Sequence, residues 1–200
     1  MKNKKNNEMD IVFLLDRSGS MHGMEKDTIG GYNSYIASQK DNNVYVTTIL
    51  FDDKYELLNK SIPIKKVKEL TKNDYYVRGS TALLDALGRA INDMDELKKK
   101  KVMFIITTDG YENASVKYTK EEIKKMINMH DNYEFIYIGA DIDSYAEGSS
   151  IGIKKTNIAN YEKSRAGIGK LYGAISKLSN MYCEEETIDE SWKQVLNKEE

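Results

Sequence analysis

Residues 11–20 read Ile-Val-Phe-Leu-Leu-Asp-Arg-Ser-Gly-Ser, an unbroken apolar run that ends in a carboxylate, two hydroxyls and a glycine. An apolar run without polar alternation is typical of a strand that is buried on both faces of a sheet. Residues 102–106 and 135–138 form two further runs of the same kind. Parallel buried strands need crossover connections, so these runs predict helices between the strands.

Segments with helical spacing lie between these apolar runs. In 84–94, apolar residues recur at intervals of three and four, which predicts an amphipathic helix. Thr119 is followed three residues later by Glu122, the signature of a capping box at the start of another helix. A last long helix is predicted over 168–182, where apolar residues again follow the helical period.

A β-hairpin is predicted between the first strand and the helix at 84–94. Residues 44–51 are rich in β-branched and aromatic side chains, and 55–58 follow them after a short polar connection. The succession of strands and helices predicts an α/β fold: a doubly wound, mostly parallel central sheet with one antiparallel edge strand and helices on both faces.

The length of 200 residues indicates one domain. We expect the folded domain to span 9–183, after a disordered N-terminus at 1–8 that is rich in lysine and asparagine. Residues 184–200 form a charged tail with a weak helical pattern at Ile188, Trp192 and Val195. The pattern leaves open whether this tail docks on the domain.

Composition excludes several function classes. The 30 Lys and Arg residues balance 32 Asp and Glu residues, so the net charge of −2 provides no basic field for nucleic acid or an anionic membrane. A single cysteine, Cys183, and two histidines do not suffice for a zinc site of the usual Cys/His kind. No apolar run is long enough for a signal peptide or a membrane span, so we expect a soluble, cytoplasmic protein without a membrane partner.

The polar residues that follow the strands predict a metal site. Asp16, Ser18 and Ser20 follow the first strand, Asp109 follows the strand at 102–106, and Thr81 precedes the helix at 84–94. Ligands of open α/β sheets bind at the carboxyl ends of the strands, where these residues would meet. Hard oxygen ligands without sulfur or imidazole favour Mg²⁺, with Mn²⁺ as the alternative. Three hydroxyls, with water held by two carboxylates, would fill most of the six-ligand shell of magnesium without neutralising the ion directly. One position would stay open for an Asp or Glu of a partner protein.

Each part of this pattern also has an ordinary structural role. Asp and Ser are common N-caps, so Asp16 could merely cap a helix in a scaffold that binds no metal. Capping alone, however, does not require a second aspartate after another strand or a threonine beside Gly79. The combination therefore favours the metal site.

The segments 16–21, 80–81 and 108–110 resemble the metal-ion-dependent adhesion site of the von Willebrand factor type A (VWA) domain. The similarity extends over roughly 9–182, and the segments 28–33 and 137–141 further resemble stand-alone bacterial and phage members. The resemblance implies the VWA fold, with the hydroxyls of Ser18, Ser20 and Thr81 as magnesium ligands. It also implies that Asp16 and Asp109 contribute directly or through water.

Three residues near the predicted site are candidates for its partner-binding rim. Arg17 would project from the loop, where its guanidinium could pair with the partner's carboxylate. His22 follows the same loop, and Tyr111 follows Asp109 and Gly110. A plain surface role accounts for each of them as well.

Catalysis is the main alternative to binding. A haloacid-dehalogenase-like phosphatase also places an aspartate after its first strand beside magnesium, but it needs a second carboxylate two residues on, where this chain has Ser18. We therefore expect a metal-dependent protein-binding module and no enzyme. A role as regulatory subunit beside an ATPase or a stress-response system stays open, as do the partner's identity and the oligomeric state.

Overall fold

The computed structural model describes residues 8–39, 43–184 and 188–197. Its centre is a six-stranded sheet with the order β3-β2-β1-β4-β5-β6. The strands are β1 (Met9–Asp16), β2 (Val44–Phe51), β3 (Tyr55–Pro63), β4 (Val102–Thr108), β5 (Tyr133–Gly139) and β6 (Ile158–Asn160). Neighbouring strands run parallel except β3, which is antiparallel to β2 at the sheet edge. This confirms the predicted α/β fold with one antiparallel edge strand.

In the described part of the chain, five α-helices surround the sheet, three short 3₁₀ helices lie in the connections and a fourth follows the last α-helix. The α-helices are α1 (Glu25–Ser38), α2 (Leu83–Glu96), α3 (Lys120–Asn128), α4 (Ser144–Ser150) and α5 (Arg165–Glu184). The 3₁₀ helices span Gly19–Met21, Ile64–Lys66, Lys155–Asn157 and Glu190–Val195. Within the described residues, no helix is both long and apolar enough to cross a membrane.

Every residue of β1 is buried, because this strand lies in the middle of the sheet with helices over both faces. Alternate side chains of a strand point to opposite faces. Accordingly, Phe13 and Leu15 belong to the core that packs under α1 and α5, whereas Val12 and Leu14 belong to the core under α2 and α3. The uninterrupted apolar run is what a strand between two cores requires.

Two helices begin or pack as their sequence predicts. The apolar stripe of α2 is buried against the sheet, with Leu87 and Ile91 fully inaccessible to solvent. At the start of α3, the Thr119 hydroxyl accepts a hydrogen bond from the Glu122 amide at 3.2 Å, and a Glu122 carboxylate oxygen accepts one from the Thr119 amide at 2.8 Å. The predicted capping box is therefore present.

The C-terminal segment docks on the domain over its described part. Trp192 is fully buried in the core beside α5, and its indole Nε1 donates a hydrogen bond to the Thr156 carbonyl at 3.1 Å. The core thus continues past the predicted boundary at 183, through 188–197. The predicted disordered N-terminus at 1–8 lies outside the described residues except for Glu8.

Candidate metal centre

The carboxyl ends of β1 and β4 lie side by side, because Leu15 pairs with Thr107 in the parallel register. The turns after these strands and the turn before α2 surround one open pocket of about 420 Å³. Four of the five predicted ligands line it: Ser18, Ser20, Thr81 and Asp109. The fifth, Asp16, is fully buried at the end of β1.

Three hydroxyls converge on the backbone of Gly110. A methyl group placed on its Cα would lie 2.7 Å from Thr81 Oγ1, 3.0 Å from Ser20 Oγ and 3.5 Å from Ser18 Oγ. The two serine hydroxyls are 3.0 Å apart. Because two separate turns direct neutral oxygens at one point, a hard cation could find three hydroxyl ligands there. The absence of a side chain at Gly110 keeps this point free.

Asp16 supplies a buried carboxylate next to these hydroxyls. Its Oδ1 accepts a hydrogen bond from the Ser18 amide at 2.7 Å, and its Oδ2 accepts one from the Thr108 hydroxyl at 2.5 Å. Burial is the largest influence on this group and raises the pKa of Asp16 to about 6, although the hydrogen bonds from Thr108 and Ser18 lower it. Charge repulsion from nearby Asp109 makes a smaller contribution to the same rise. A divalent cation would offset this repulsion.

Asp109 is the second buried carboxylate of the site. Neither of its oxygens accepts a hydrogen bond of suitable geometry from the described part of the chain. The Lys163 ammonium nevertheless lies 2.6 Å from Asp109 Oδ2 as an ion pair. An aspartate with so few hydrogen-bond partners is unusual in a protein interior, and it fits a metal ligand.

The turns that carry the hydroxyls are held together by hydrogen bonds. Gly19 N donates to Gly79 O at 3.1 Å, and Gly79 has a φ of +67°, which a side chain would strain. The Thr81 amide donates to Asn113 Oδ1 at 2.9 Å, and the Tyr75 hydroxyl donates to the Asp16 carbonyl at 2.5 Å. The geometry of the site is therefore set by contacts outside the predicted ligand set.

The predicted position of Arg17 at the rim is wrong. Its side chain is fully buried, with Nε 3.0 Å from Asp52 Oδ2 and Nη1 2.7 Å from Glu56 Oε2. Arg17 lies between Asp16 and Ser18 in an extended segment, so it points away from their side of the chain. The buried Arg17 side chain forms ion pairs with Asp52 and Glu56, so it is not available to a partner protein.

The other two rim candidates lie at the surface. Tyr111 is 52% exposed and lines the pocket, where its hydroxyl accepts a hydrogen bond from the Asp143 amide at 3.3 Å. The His22 side chain is 85% exposed, and its Nδ1 lies 3.5 Å from Glu25 Oε1. Their predicted role in partner binding stays a prediction.

Sequence reasoning missed Thr108 and Lys163, which contact the two carboxylates directly. Thr108 had a signal, since it lies at the end of β4 beside the predicted ligand Asp109. Lys163 lies in the loop between β6 and α5, and no motif marks it. Asp141 also lines the pocket and is not among the predicted ligands.

Solved structures with the same fold identify the class to which this architecture belongs. Proximal thread matrix protein 1 from the mussel byssus, in a structure described as having a zinc-occupied MIDAS motif, superposes with a TM-score of 0.64 at 17% identity, covering 86% of this chain and 46% of that one. The von Willebrand factor type A protein from Catenulispora acidiphila superposes with a TM-score of 0.60 at 14% identity, covering 86% of this chain and 42% of that one. The ArnB paralog VWA2 from Sulfolobus acidocaldarius superposes with a TM-score of 0.63 at 16% identity, covering 85% of this chain and 44% of that one.

The chain therefore has the VWA fold, as its sequence predicts. It spans less than half the length of these three solved chains. A scan against protein-family models and a search of curated proteins found no match.

A substitution at Gly110 tests the convergence of the hydroxyls. We expect Gly110→Ala to weaken magnesium binding by about tenfold or more, because the added methyl group would occupy the point that the three hydroxyls share. Isothermal titration of the metal-free protein with Mg²⁺ measures this. Gly169→Ala is the matched control, since a methyl group at that helical position meets no atom within 4 Å. Equal affinities of the two variants would contradict the proposed location of the ion.

Proposed function

We propose that this protein is a metal-dependent binding module that holds Mg²⁺ at the candidate metal centre and through it captures a carboxylate of a partner protein. The observation that carries the proposal is the convergence of the Ser18, Ser20 and Thr81 hydroxyls beside two buried carboxylates. Within the described residues, no cluster of three His, Cys, Asp or Glu side chains offers an alternative metal site.

The donor set fits a hard cation. Ser18, Ser20 and Thr81 would contribute neutral oxygens, and Asp16 and Asp109 would contribute two negative charges that match a divalent ion. Magnesium bound there would supply an electrophile for an incoming carboxylate. The zinc-occupied MIDAS motif of the mussel protein supports a divalent cation in this fold.

The pocket around these ligands is open to a partner. Ser20 is exposed in the turn after β1, and Tyr111 covers one side of the pocket. A carboxylate on a flexible loop or a chain terminus of the partner could enter there. Partly exposed aromatic side chains such as Tyr111 are frequent in protein interfaces, because they combine apolar area with a polar group.

Several features support binding over catalysis. Asp16 is fully buried and both of its oxygens already accept hydrogen bonds, which favours a supporting or ligand role over that of a base. Position 18, where a phosphatase of the competing class has its acid, carries a serine whose hydroxyl contacts Ser20. These residues hold a cation more readily than they transfer a proton.

Affinity purification with a metal switch tests the proposal. The immobilised full chain is expected to retain one or a few proteins in Mg²⁺ and to release them in EDTA. Thr81→Ala should lose them, since it removes a hydroxyl ligand while leaving the Thr81 amide free to bond Asn113. Ser80→Ala is the control, because Ser80 lines the same pocket but is not in the ligand set. Retention of the same proteins in EDTA would contradict the proposal.

A further inference from the structure

Lys163 reaches into the candidate metal centre from a distant part of the chain. Its ammonium lies 2.6 Å from Asp109 Oδ2 and donates a hydrogen bond to the Ser20 carbonyl at 2.7 Å. Both contacts are to residues of the proposed ligand set. The Lys163 side chain is 25% exposed, whereas that of Asp109 is fully buried.

We propose that Lys163 is a built-in competitor for the cation, which occupies the carboxylate of Asp109 until a divalent ion displaces it. This inference concerns the regulation of the metal site and rests on the proposed function. Lys163 brings one positive charge to a set of ligands that otherwise carries two negative charges, from Asp16 and Asp109.

The charges at the site set Lys163 in competition with a divalent ion. With Lys163 in place, a divalent ion would meet a net charge of −1 from the two carboxylates and the ammonium. It would also be repelled by the ammonium, which already contacts one of its ligands. Once the ammonium withdraws, the two carboxylates balance the ion. The partial burial of the site limits the screening of this repulsion by solvent and salt.

Withdrawal of the Lys163 ammonium from Asp109 requires only a side-chain movement. The backbone on both sides of Lys163 is anchored: Tyr161 N donates to Gly139 O at 2.9 Å, and Gly167 N donates to Ser164 Oγ at 3.0 Å. The four-carbon stem of lysine has many rotamers, and its ammonium is well hydrated in water. Lys163 can therefore turn toward solvent while β6 and α5 stay in place.

The inference predicts that removal of the Lys163 charge raises magnesium affinity but lowers the stability of the metal-free protein. Lys163→Gln should raise magnesium affinity about 5- to 150-fold, the range typical of coupled binding events. It should also lower the melting temperature of the metal-free protein, because buried Asp109 loses its counter-ion. At saturating Mg²⁺ the variant and the wild-type chain should melt close together.

Titration calorimetry with Mg²⁺ and thermal melts with and without the ion measure these effects on the full chain. Lys163→Arg keeps the charge and should bind magnesium with nearly wild-type affinity. Lys66→Gln removes the same charge from an exposed site near the amino-terminal end of β2, away from the carboxyl ends of β1 and β4. It should change neither the magnesium affinity nor the melting temperature.

The outcomes separate this inference from the proposed function. Magnesium affinity of Lys163→Gln that is equal to or weaker than that of the wild-type chain would overturn the competitor role alone. Failure of both proteins to bind magnesium would overturn both proposals. Magnesium binding by both proteins, with the higher affinity in Lys163→Gln, would support both.

Discussion

Asp52→Ala is expected to lower the free energy of unfolding by about 3–5 kcal/mol, the usual cost of removing one partner of a buried ion pair. Arg17 Nε and Arg78 Nε lie 3.0 and 2.6 Å from the same oxygen, Asp52 Oδ2. The side chains of Arg17 and Asp52 are both fully buried. Without Asp52, the Arg17 guanidinium would keep Glu56, whose side chain is 44% exposed, and the face of the Tyr76 ring, 5.5 Å from its centroid. Chemical denaturation measures the loss.

The charge state of Asp52 is consistent with this role. Burial alone would raise the pKa of Asp52, but hydrogen bonds from Arg78 and the Lys54 amide, together with the charge of Arg17, hold it below its ordinary value. A carboxyl group with a lowered pKa adds stability above its unfolded-state pKa, and this is lost as the pH falls through the folded-state pKa. Asp52 therefore stabilises the fold throughout the neutral range.

Two further variants separate the ion pair from other causes. Asp53→Ala removes the neighbouring exposed carboxylate and should change the free energy of unfolding by about 0.5 kcal/mol or less. The double variant Arg17→Met/Asp52→Ala should recover much of the loss, since it no longer buries an unpaired charge. If Asp52→Ala proved as harmless as Asp53→Ala, Arg17 would have to find water or another partner in solution.

The sequence predicts the centre of the sheet better than its edge. The buried strands β1, β4 and β5 each contain an unbroken apolar run, which in a chain of alternating strands and helices indicates a strand between two helical layers. The three-residue strand β6 and the helix α4, which is rich in serine and glycine, are too short or too polar for a periodic signal. Strand β3 extends to Pro63, beyond the predicted 58, because pairing with β2 determines its length.

The metal site likewise has a part that the sequence predicts and a part that it does not. Its five predicted ligands follow strand ends or precede a helix, so the topology alone brings them to one edge of the sheet. Lys163 and the buried pair of Arg17 and Asp52 depend on side-chain contacts between segments that are remote in sequence. Alternation along the extended segment 16–18 was the one local sign that Arg17 faces away from the hydroxyls.

Asp16→Asn is expected to abolish magnesium binding and, at pH 7, to raise the free energy of unfolding of the metal-free protein by about 1–3 kcal/mol. A buried carboxylate is costly without a cation, which is why the pKa of Asp16 is raised from 3.8 to about 6. Asparagine removes the charge but keeps the shape. Its carbonyl can accept from the Ser18 amide, and its amide can donate to the Thr108 hydroxyl, which can turn its proton to the Gly110 carbonyl at 3.1 Å.

The pH dependence gives this prediction a second measurement. Because the folded state holds the Asp16 proton more tightly than the unfolded state, the protonated group favours folding below about pH 4, and this advantage is lost as the pH rises through about 6. A shift of about two pKa units corresponds to about 3 kcal/mol. Between pH 4 and 6, the metal-free wild-type chain should therefore lose stability relative to Asp16→Asn.

At pH 7, magnesium should make the wild-type chain more stable than Asp16→Asn. The ion favours the charged carboxylate, so it should stabilise the wild-type chain at pH 7, lose effect near pH 5, and leave Asp16→Asn unaffected at both. Thermal melts at these two pH values, each with Mg²⁺ and with EDTA, provide the comparison. A variant that kept the full magnesium effect would remove Asp16 from the ligand set. A variant less stable than the wild-type chain in EDTA at pH 7 would mean that the two hydrogen bonds to the carboxylate outweigh the cost of burying its charge.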